Sequence, residues 1–238
     1  MANSYFSFKQ FTIRHDRCAM KVGTDGVLLG AWINVQGAGR IIDVGTGSGL
    51  IAIMMAQRCD AVIDAVEVDP DACSQARENA AACRWNERIT IHHDAIQHFA
   101  DETTVLYQLV VSNPPYFLNS LKPPSTLRSQ ARHNTTLNYQ SLLHCASQLL
   151  APEGRLAVIL PADAGTRFTE LAFFHGMHPV RQTMARPRPD RDYSRCMAEF
   201  SRNRDQPCDN QEIIIRNQDG KEYTYGYRTL TKAYYLNF

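Results

Sequence analysis

The run Asp43-Val44-Gly45-Thr46-Gly47-Ser48-Gly49 limits what this chain can fold into more than any other segment. It follows an apolar, β-rich stretch at 41–44 and precedes residues 50–57, which are hydrophobic on every side and read as a buried helix. Glycines between such a strand and helix admit positive φ and let the backbone come close to a ligand. The pattern predicts the opening strand, loop and helix of a parallel α/β sheet.

The alternation continues. Residues 61–68 read as the next buried strand, and Asp69-Pro70 opens a helix with Pro70 near the first helical position, Asp69 as its cap, and Ala72, Ala76 and Ala80 at helical spacing. Further strands are expected at 89–92, 109–112 and 155–160, the last preceded by a helix at 137–150 and a turn at Pro152-Glu153-Gly154. Strands that alternate with helices imply parallel βαβ units. Beyond Pro161 the character changes: 178–186 and 196–202 read as strands joined by a basic, proline-containing loop, and 212–225 as a hairpin around Asp219-Gly220. These predict an antiparallel C-terminal part at the edge of the sheet. The 39 residues before the core are too few for an independent domain. The expectation is one domain over 1–238, with a lead-in at 1–39, a ligand-binding core at 40–160 and the antiparallel part at 161–238.

Composition excludes several function classes. A net charge of +1, from 25 basic and 24 acidic residues, is not that of a nucleic-acid coat protein, although local basic patches remain open. Seven cysteines, no two closer than ten positions and none in a C-x-x-C pair, argue against a disulfide framework or a zinc ribbon. The eight histidines contain no H-x-x-x-H pair. No stretch reaches the ~18 apolar residues of a membrane span, and residues 1–10 lack the apolar centre of a targeting segment. A reduced, cytoplasmic protein with no metal, no membrane and no obligate protein partner is expected.

The glycine loop reads D-x-G-x-G-x-G, with an acid leading it, and differs from the dinucleotide fingerprint G-x-G-x-x-G that seats a pyrophosphate. An acid at the loop mouth repels pyrophosphate and suits a cationic ligand. Glu67, eighteen residues beyond Gly49, ends the second strand, where a carboxylate can accept hydrogen bonds from ribose hydroxyls; Asp69 points to the same side. Asp94 ends the third strand and either faces a ligand or caps the next helix.

A second motif, Ser112-Asn113-Pro114-Pro115-Tyr116, follows the apolar run Leu109-Val110-Val111 at the end of a central strand. Ligands of open α/β sheets bind at that end. Two prolines remove two backbone donors and leave a rigid row of carbonyl acceptors beside the Asn113 side chain, while Tyr116 adds a flat aromatic face. Such a site suits an amino group on a planar system: the Asn113 Oδ1 and the Pro114 carbonyl accept its two hydrogens while the ring stacks on Tyr116. Drawing the hydrogens away favours a pyramidal nitrogen and stabilises the positive charge that develops as it attacks.

The glycine loop resembles motif I of the class I S-adenosylmethionine-dependent methyltransferases. The second motif resembles the amino-methyltransferases that carry [DNS]-P-P-[YFW] and modify adenine N6, cytosine N4 or glutamine N5. The lead-in residues Cys18-Ala19-Met20-Lys21-Val22-Gly23-Thr24-Asp25-Gly26 and the closing Leu230-Thr231-Lys232-Ala233-Tyr234-Tyr235 are similar to the bacterial family that methylates N6 of the adenine at position 37 of a valine tRNA. The resemblance implies a Rossmann-like class I fold with a mostly parallel seven-stranded sheet and S-adenosyl-L-methionine as cofactor. It implies cofactor contacts from Asp43, Gly45, Gly47, Gly49, Glu67, Asp69 and Asp94, with further contacts from Lys21, Thr24 and Asp25 on a lead-in folded over the cofactor. Asn113, Pro114, Pro115 and Tyr116 become the catalytic set.

A tRNA substrate needs phosphate contacts. Arg181, Arg186, Arg188, Arg191 and Arg195 fall within fifteen residues and could hold the anticodon arm, while Arg128, Arg132 and His133 follow Tyr116 and could flank a flipped base. Glutamine methylation of release factors and methylation of another RNA adenine are the enzyme alternatives. A dinucleotide-dependent oxidoreductase and a catalytically silent RNA-binding module are alternatives of other classes.

Overall fold

The computed structural model describes residues 3–115 and 137–238. Eight strands form its main sheet: β3 (Arg40–Val44), β4 (Val62–Glu67), β5 (Ile89–His93), β6 (Tyr107–Ser112), β7 (Leu150–Pro161), β8 (His178–Arg186), β9 (Arg195–Ser201) and β10 (Asp209–Ile214), in the spatial order β10-β8-β9-β7-β6-β3-β4-β5. The chain moves outward from β3 to β4 and β5, then returns to place β6 on the other side of β3. That reversal opens a crevice at the C-terminal ends of β3 and β6. Pairs β3–β4, β3–β6, β4–β5 and β6–β7 are parallel, and antiparallel pairing in this sheet is confined to β9 against β7 and β8.

Parallel strands covered on both faces must be apolar on both faces, which is why these segments read as continuous hydrophobic runs. Alternate residues go to opposite sides. Ile41, Ile63, Leu109, Val111 and Ile159 face a core that also holds α2 (Leu50–Ala56) and α3 (Pro70–Ala82). Ile42, Val44, Val66, Val110 and Val158 face a second core with α4 (Ile96–Glu102), α5 (Tyr139–Leu149) and α6 (Gly165–Phe174). Helix α3 begins as expected, with the Asp69 carboxylate accepting from the amides of Asp71 and Ala72 and Pro70 in the first turn.

The lead-in contains a small hairpin, β1 (Tyr5–Ser7) with β2 (Thr12–Arg14), followed by α1 (Thr24–Trp32). Two amide side chains on α3 hold it. Asn79 accepts the Arg14 amide at 2.9 Å and donates to the Arg14 carbonyl at 2.8 Å, while Gln75 accepts the Arg17 amide at 3.0 Å and donates to Asp16 at 2.8 Å. Both are buried, so these bonds form away from competing water.

The structure departs from the sequence reading in three places. The sheet has an eighth strand beyond the seven expected. The hairpin expected at 212–225 is largely replaced by that strand, β10, which pairs parallel to β8; the antiparallel part shrinks to one bridge between Arg216 and Tyr223, with Gly220 at φ +73° in the turn, followed by α7 (Tyr225–Thr231). The turn at 152–154 is an irregularity inside β7: from Leu150 to Arg155 that strand advances five positions while β6 advances two, from Tyr107 to Leu109. A Cβ on Gly154 would lie 2.7 Å from the Tyr107 carbonyl oxygen, so only glycine fits that close approach. Among the described residues no helix is long and apolar enough to cross a membrane.

The far end of α1 is fastened to the sheet by a buried charge cluster. Glu199, 2% exposed, pairs with Arg181 at 2.9 Å and Arg155 at 3.3 Å and accepts the Asn34 amide. The Arg181 guanidinium lies 3.8 Å above the Trp32 ring, whose Nε1 donates to Thr183. Removing one partner of a buried pair leaves the others uncompensated and costs about 3 kcal/mol. Glu199→Ala is therefore expected to lower unfolding free energy by about that amount in urea titrations. Glu199→Gln, which keeps an acceptor for Asn34, should lose less.

Candidate active site

Strand register assembles the site. Val44 lies opposite Val66 on β4 and Ser112 on β6, and Glu67 lies opposite His93 on β5. The residues that follow, Gly45, Asn113 and Asp94, therefore leave the sheet at one level, with Glu67 among them. A hydrogen bond from Ser112 Oγ to the Val44 carbonyl, 2.9 Å and fully buried, ties the β3 and β6 ends together.

The loop 45–49 turns over the end of β4. The amides of Gly45 and Thr46 both donate to the Val66 carbonyl, and Gly45, Gly47 and Gly49 have φ of +70°, +58° and +80°. A side chain at any of the three would be strained. Gly45 and Gly47 line the crevice, whereas Gly49 is the N-cap of α2 and packs on Ala76. Asp43 stands behind the loop, 1% exposed. Its Oδ2 accepts from Thr46 Oγ1 at 2.6 Å and from the Ala52 amide at 3.2 Å, and its Oδ1 is buried without a hydrogen-bond partner. Burial pushes this carboxyl up to about 7, against the two hydrogen bonds and with the charge of Glu67 adding to the rise. Asp43 thus organises the loop, and it is not among the residues that line the crevice.

Two cavities meet at Gly45. The larger, about 350 Å³, has the glycine loop on one wall, the lead-in residues Lys21, Thr24 and Asp25 on the other, and Asn113 and Arg195 at its rim. The smaller, about 40 Å³, is bounded by Gly45, Glu67, Asp94 and the apolar side chains of Val68, Ile96 and Leu137. Glu67 sits at the junction: Oε2 accepts the Gly47 amide at 2.8 Å and Oε1 the Asp69 amide at 2.9 Å, which fixes the carboxylate at the end of β4. The larger cavity thus has a polar, charged wall, and the smaller one joins a carboxylate to apolar walls.

The remaining expected residues divide. Asp69 caps α3. Asp94 lines the smaller cavity, accepts the Ala95 amide and pairs with His98 at 2.7 Å, which raises the His98 pKa. Pro114 and Pro115 follow Asn113 as read, whereas Tyr116, Arg128, Arg132 and His133 lie outside the described residues. The basic segment lies at the C-terminal edge of the sheet, but Arg186 is paired with Glu212 at 2.7 Å and lies over the Tyr193 ring, and Arg188 is paired with Asp190 at 3.4 Å. Arg191, 62% exposed, stands 3.9 Å from Asp190. Arg181 belongs to the buried Glu199 cluster and not to a nucleic-acid surface. Asn79 is a residue the motif reading missed: besides Arg14 it donates to the Ser48 carbonyl and so joins lead-in and loop through one side chain. Its signal was a polar residue four positions after Gln75 beside the stripe of alanines on α3.

The family model described as methyltransferase small domain matches residues 18–184. A protein of Phocaeicola vulgatus named tRNA1(Val) (adenine(37)-N6)-methyltransferase is 48% identical over 237 residues, covering 100% of both chains. One of the same name from Escherichia coli is 44% identical over 233 residues, covering 97% of this chain and 94% of its own. The chain belongs to the tRNA1(Val) (adenine(37)-N6)-methyltransferase family. Solved structures share the fold of this family at low identity. A predicted O-methyltransferase from Agrobacterium tumefaciens superposes with a TM-score of 0.64 at 18% identity over 88% of this chain and 96% of its own. A glycopeptide N-methyltransferase complexed with (S)-adenosyl-L-methionine gives 0.57 at 12% over 77% of this chain and 100% of its own.

The raised Asp43 carboxyl has a pH signature. In the unfolded chain the group titrates near 3.8 and in the folded one at about 7, so between those values only the unfolded chain releases the proton. Asp43 therefore weakens folding progressively as pH rises through this window and by a constant amount above it. The stability of Asp43→Asn relative to the parent should climb from about pH 4 to about pH 7 and then level off, read by urea unfolding at each pH. A flat difference would return Asp43 to an ordinary carboxyl.

Proposed function

We propose that this protein transfers the methyl group of S-adenosyl-L-methionine to N6 of adenine 37 in a valine tRNA, gripping the anticodon arm, in the cytoplasm. The observation that carries this reading is Asn113 at the rim of the cavity lined by the glycine loop and the lead-in. Full-length relatives bearing that activity in their names support it. Bound in the crevice, S-adenosyl-L-methionine supplies an electrophilic methyl group on a sulfonium.

The residues of this chain fit that group. Glu67, on the wall of the smaller cavity, would hold the ribose hydroxyls, and Val68, Ile96 and Asp94, which line the same cavity, would take the base. Asn113 Oδ1 and the Pro114 carbonyl draw the two hydrogens of adenine N6, which localises the lone pair that the ring otherwise delocalises. These acceptors are preorganised at a strand end, so they stabilise the charge that develops on nitrogen without reorganising. Tyr116 is assigned the stacking face from sequence alone. Because Arg186 and Arg188 hold shorter ion pairs and are less exposed than Arg191, which is 62% exposed and 3.9 Å from Asp190, Arg191 is the stronger phosphate candidate of the basic segment.

Labelled methyl from S-adenosyl-L-methionine is expected to enter total tRNA from a strain lacking this gene and to appear as N6-methyladenosine in one valine tRNA. Label in a release factor and none in tRNA would keep the amine site and change the substrate. Asn113→Ala should lower turnover by roughly 10²-fold with cofactor affinity nearly intact, as loss of a transition-state acceptor does. Glu67→Ala should instead raise the cofactor dissociation constant by about 10-fold or more, the scale of hydrogen bonds to a charged acceptor. Equilibrium binding and single-turnover rates separate the two.

A further inference from the structure

Among the described ion pairs, Asp25–Arg195 is the one whose two members both line the larger cavity. Asp25 lies in the first turn of α1, and Arg195 is the first residue of β9, directly after the basic segment that ends at Ser194. Their atoms Oδ2 and Nε are 2.8 Å apart, and Arg195 Nη1 also donates to the Ser194 carbonyl. The side chains are 22% and 31% exposed, so a ligand can reach both. Asp25 is the only carboxylate on the wall of this cavity among the described residues, where Lys21 and Arg195 are the cations.

We propose that this pair is an exchangeable clasp: the α-ammonium of the cofactor takes over Asp25, and Arg195 turns to a phosphate of the RNA. The idea rests on the function proposed above. A cavity with one acid can balance one cation closely, and a second cation arriving there competes with the first for the same carboxylate. Once its contact with Asp25 is exchanged, Arg195 is still on the wall of the cavity that Asn113 also lines, where the target nucleotide must enter, and a guanidinium is suited to phosphate oxygens. Cofactor and RNA then bind with positive coupling, which by linkage is reciprocal.

The test uses S-adenosylhomocysteine, which keeps the ammonium, and 5′-methylthioadenosine, which lacks it, against the full chain, Asp25→Asn and Arg195→Gln. Asp25→Asn should weaken S-adenosylhomocysteine about 5-fold or more, whereas Arg195→Gln, which removes the competitor, should tighten it; 5′-methylthioadenosine should hardly respond to either. S-adenosylhomocysteine should strengthen binding of valine tRNA to the parent about 5-fold or more and to neither variant. Thermal midpoints establish that each variant is folded, and Arg195→Met, which keeps the apolar stem and also removes the competing charge, replaces Arg195→Gln if that one is not. Equal weakening of S-adenosylhomocysteine by both substitutions would overturn the clasp and make Arg195 a ligand of the cofactor carboxylate or a structural strap. Parent tRNA affinity that ignores S-adenosylhomocysteine would overturn the coupling. Absence of tRNA binding under every condition, with the small-ligand results as expected, would remove the RNA reading and the coupling with it.

Discussion

Three adjacent parallel strands that end at one level are the constraint on which the rest of the structure depends. Hydrogen bonding between β3, β4 and β6 sets Val44 against Val66 and Ser112, and a slip of one residue would turn every side chain on the slipped strand to the opposite core. The apolar runs oppose such a slip because Ile41 and Ile42, or Val110 and Val111, belong to different cores and differ in their neighbours. Gly45, Glu67, Asp94 and Asn113 are consequently delivered to one crevice by the packing of residues that take no part in any chemistry. The buried Ser112–Val44 bond closes the arrangement at its most demanding point, where two chain segments leave the sheet side by side.

A tightly turned loop at the mouth of that crevice has to be held, and the chain does so from behind. Asp43 binds Thr46 and the start of α2, Glu67 takes the Gly47 amide, and Asn79 reaches the Ser48 carbonyl while fixing Arg14 of the lead-in. The cost is a carboxylate in an apolar environment, visible in the raised pKa of Asp43 and in its unpartnered oxygen. Strain of this sort is commonly stored at ligand sites. The lead-in completes the enclosure, so the walls of the larger cavity come from segments some twenty residues and one whole helix apart.

Electrostatics at the C-terminal edge of the sheet are more local than the arginine count implies. Arg181 is committed to Glu199, Arg186 to Glu212, and Arg188 to Asp190. Only Arg195 both leaves this segment and enters the crevice. These arginines thus sit in matched pairs, and the pair on the cavity wall is the one that incoming ligands meet.

Much of the fold was legible in the sequence. The apolar runs identified the parallel strands, Asp69-Pro70 identified the start of α3, and the glycine loop and Asn113-Pro114-Pro115 marked the crevice, because each depends on local backbone chemistry. The eighth strand and the irregularity at Gly154 were not legible, since which edge a strand joins and which carbonyl a glycine must clear are decided by segments distant in sequence. The same holds for charge: a run of arginines is read from the chain, but their partners Glu199, Glu212 and Asp25 come from three other parts of it. Local propensity and spacing by themselves determined seven strands of the main sheet, the start of α3 and the two motifs. The tertiary structure alone decided that the lead-in forms the second wall, that Asp43 lies behind its loop and that Arg195 faces Asp25, because each is a contact between residues that only folding brings within hydrogen-bond reach.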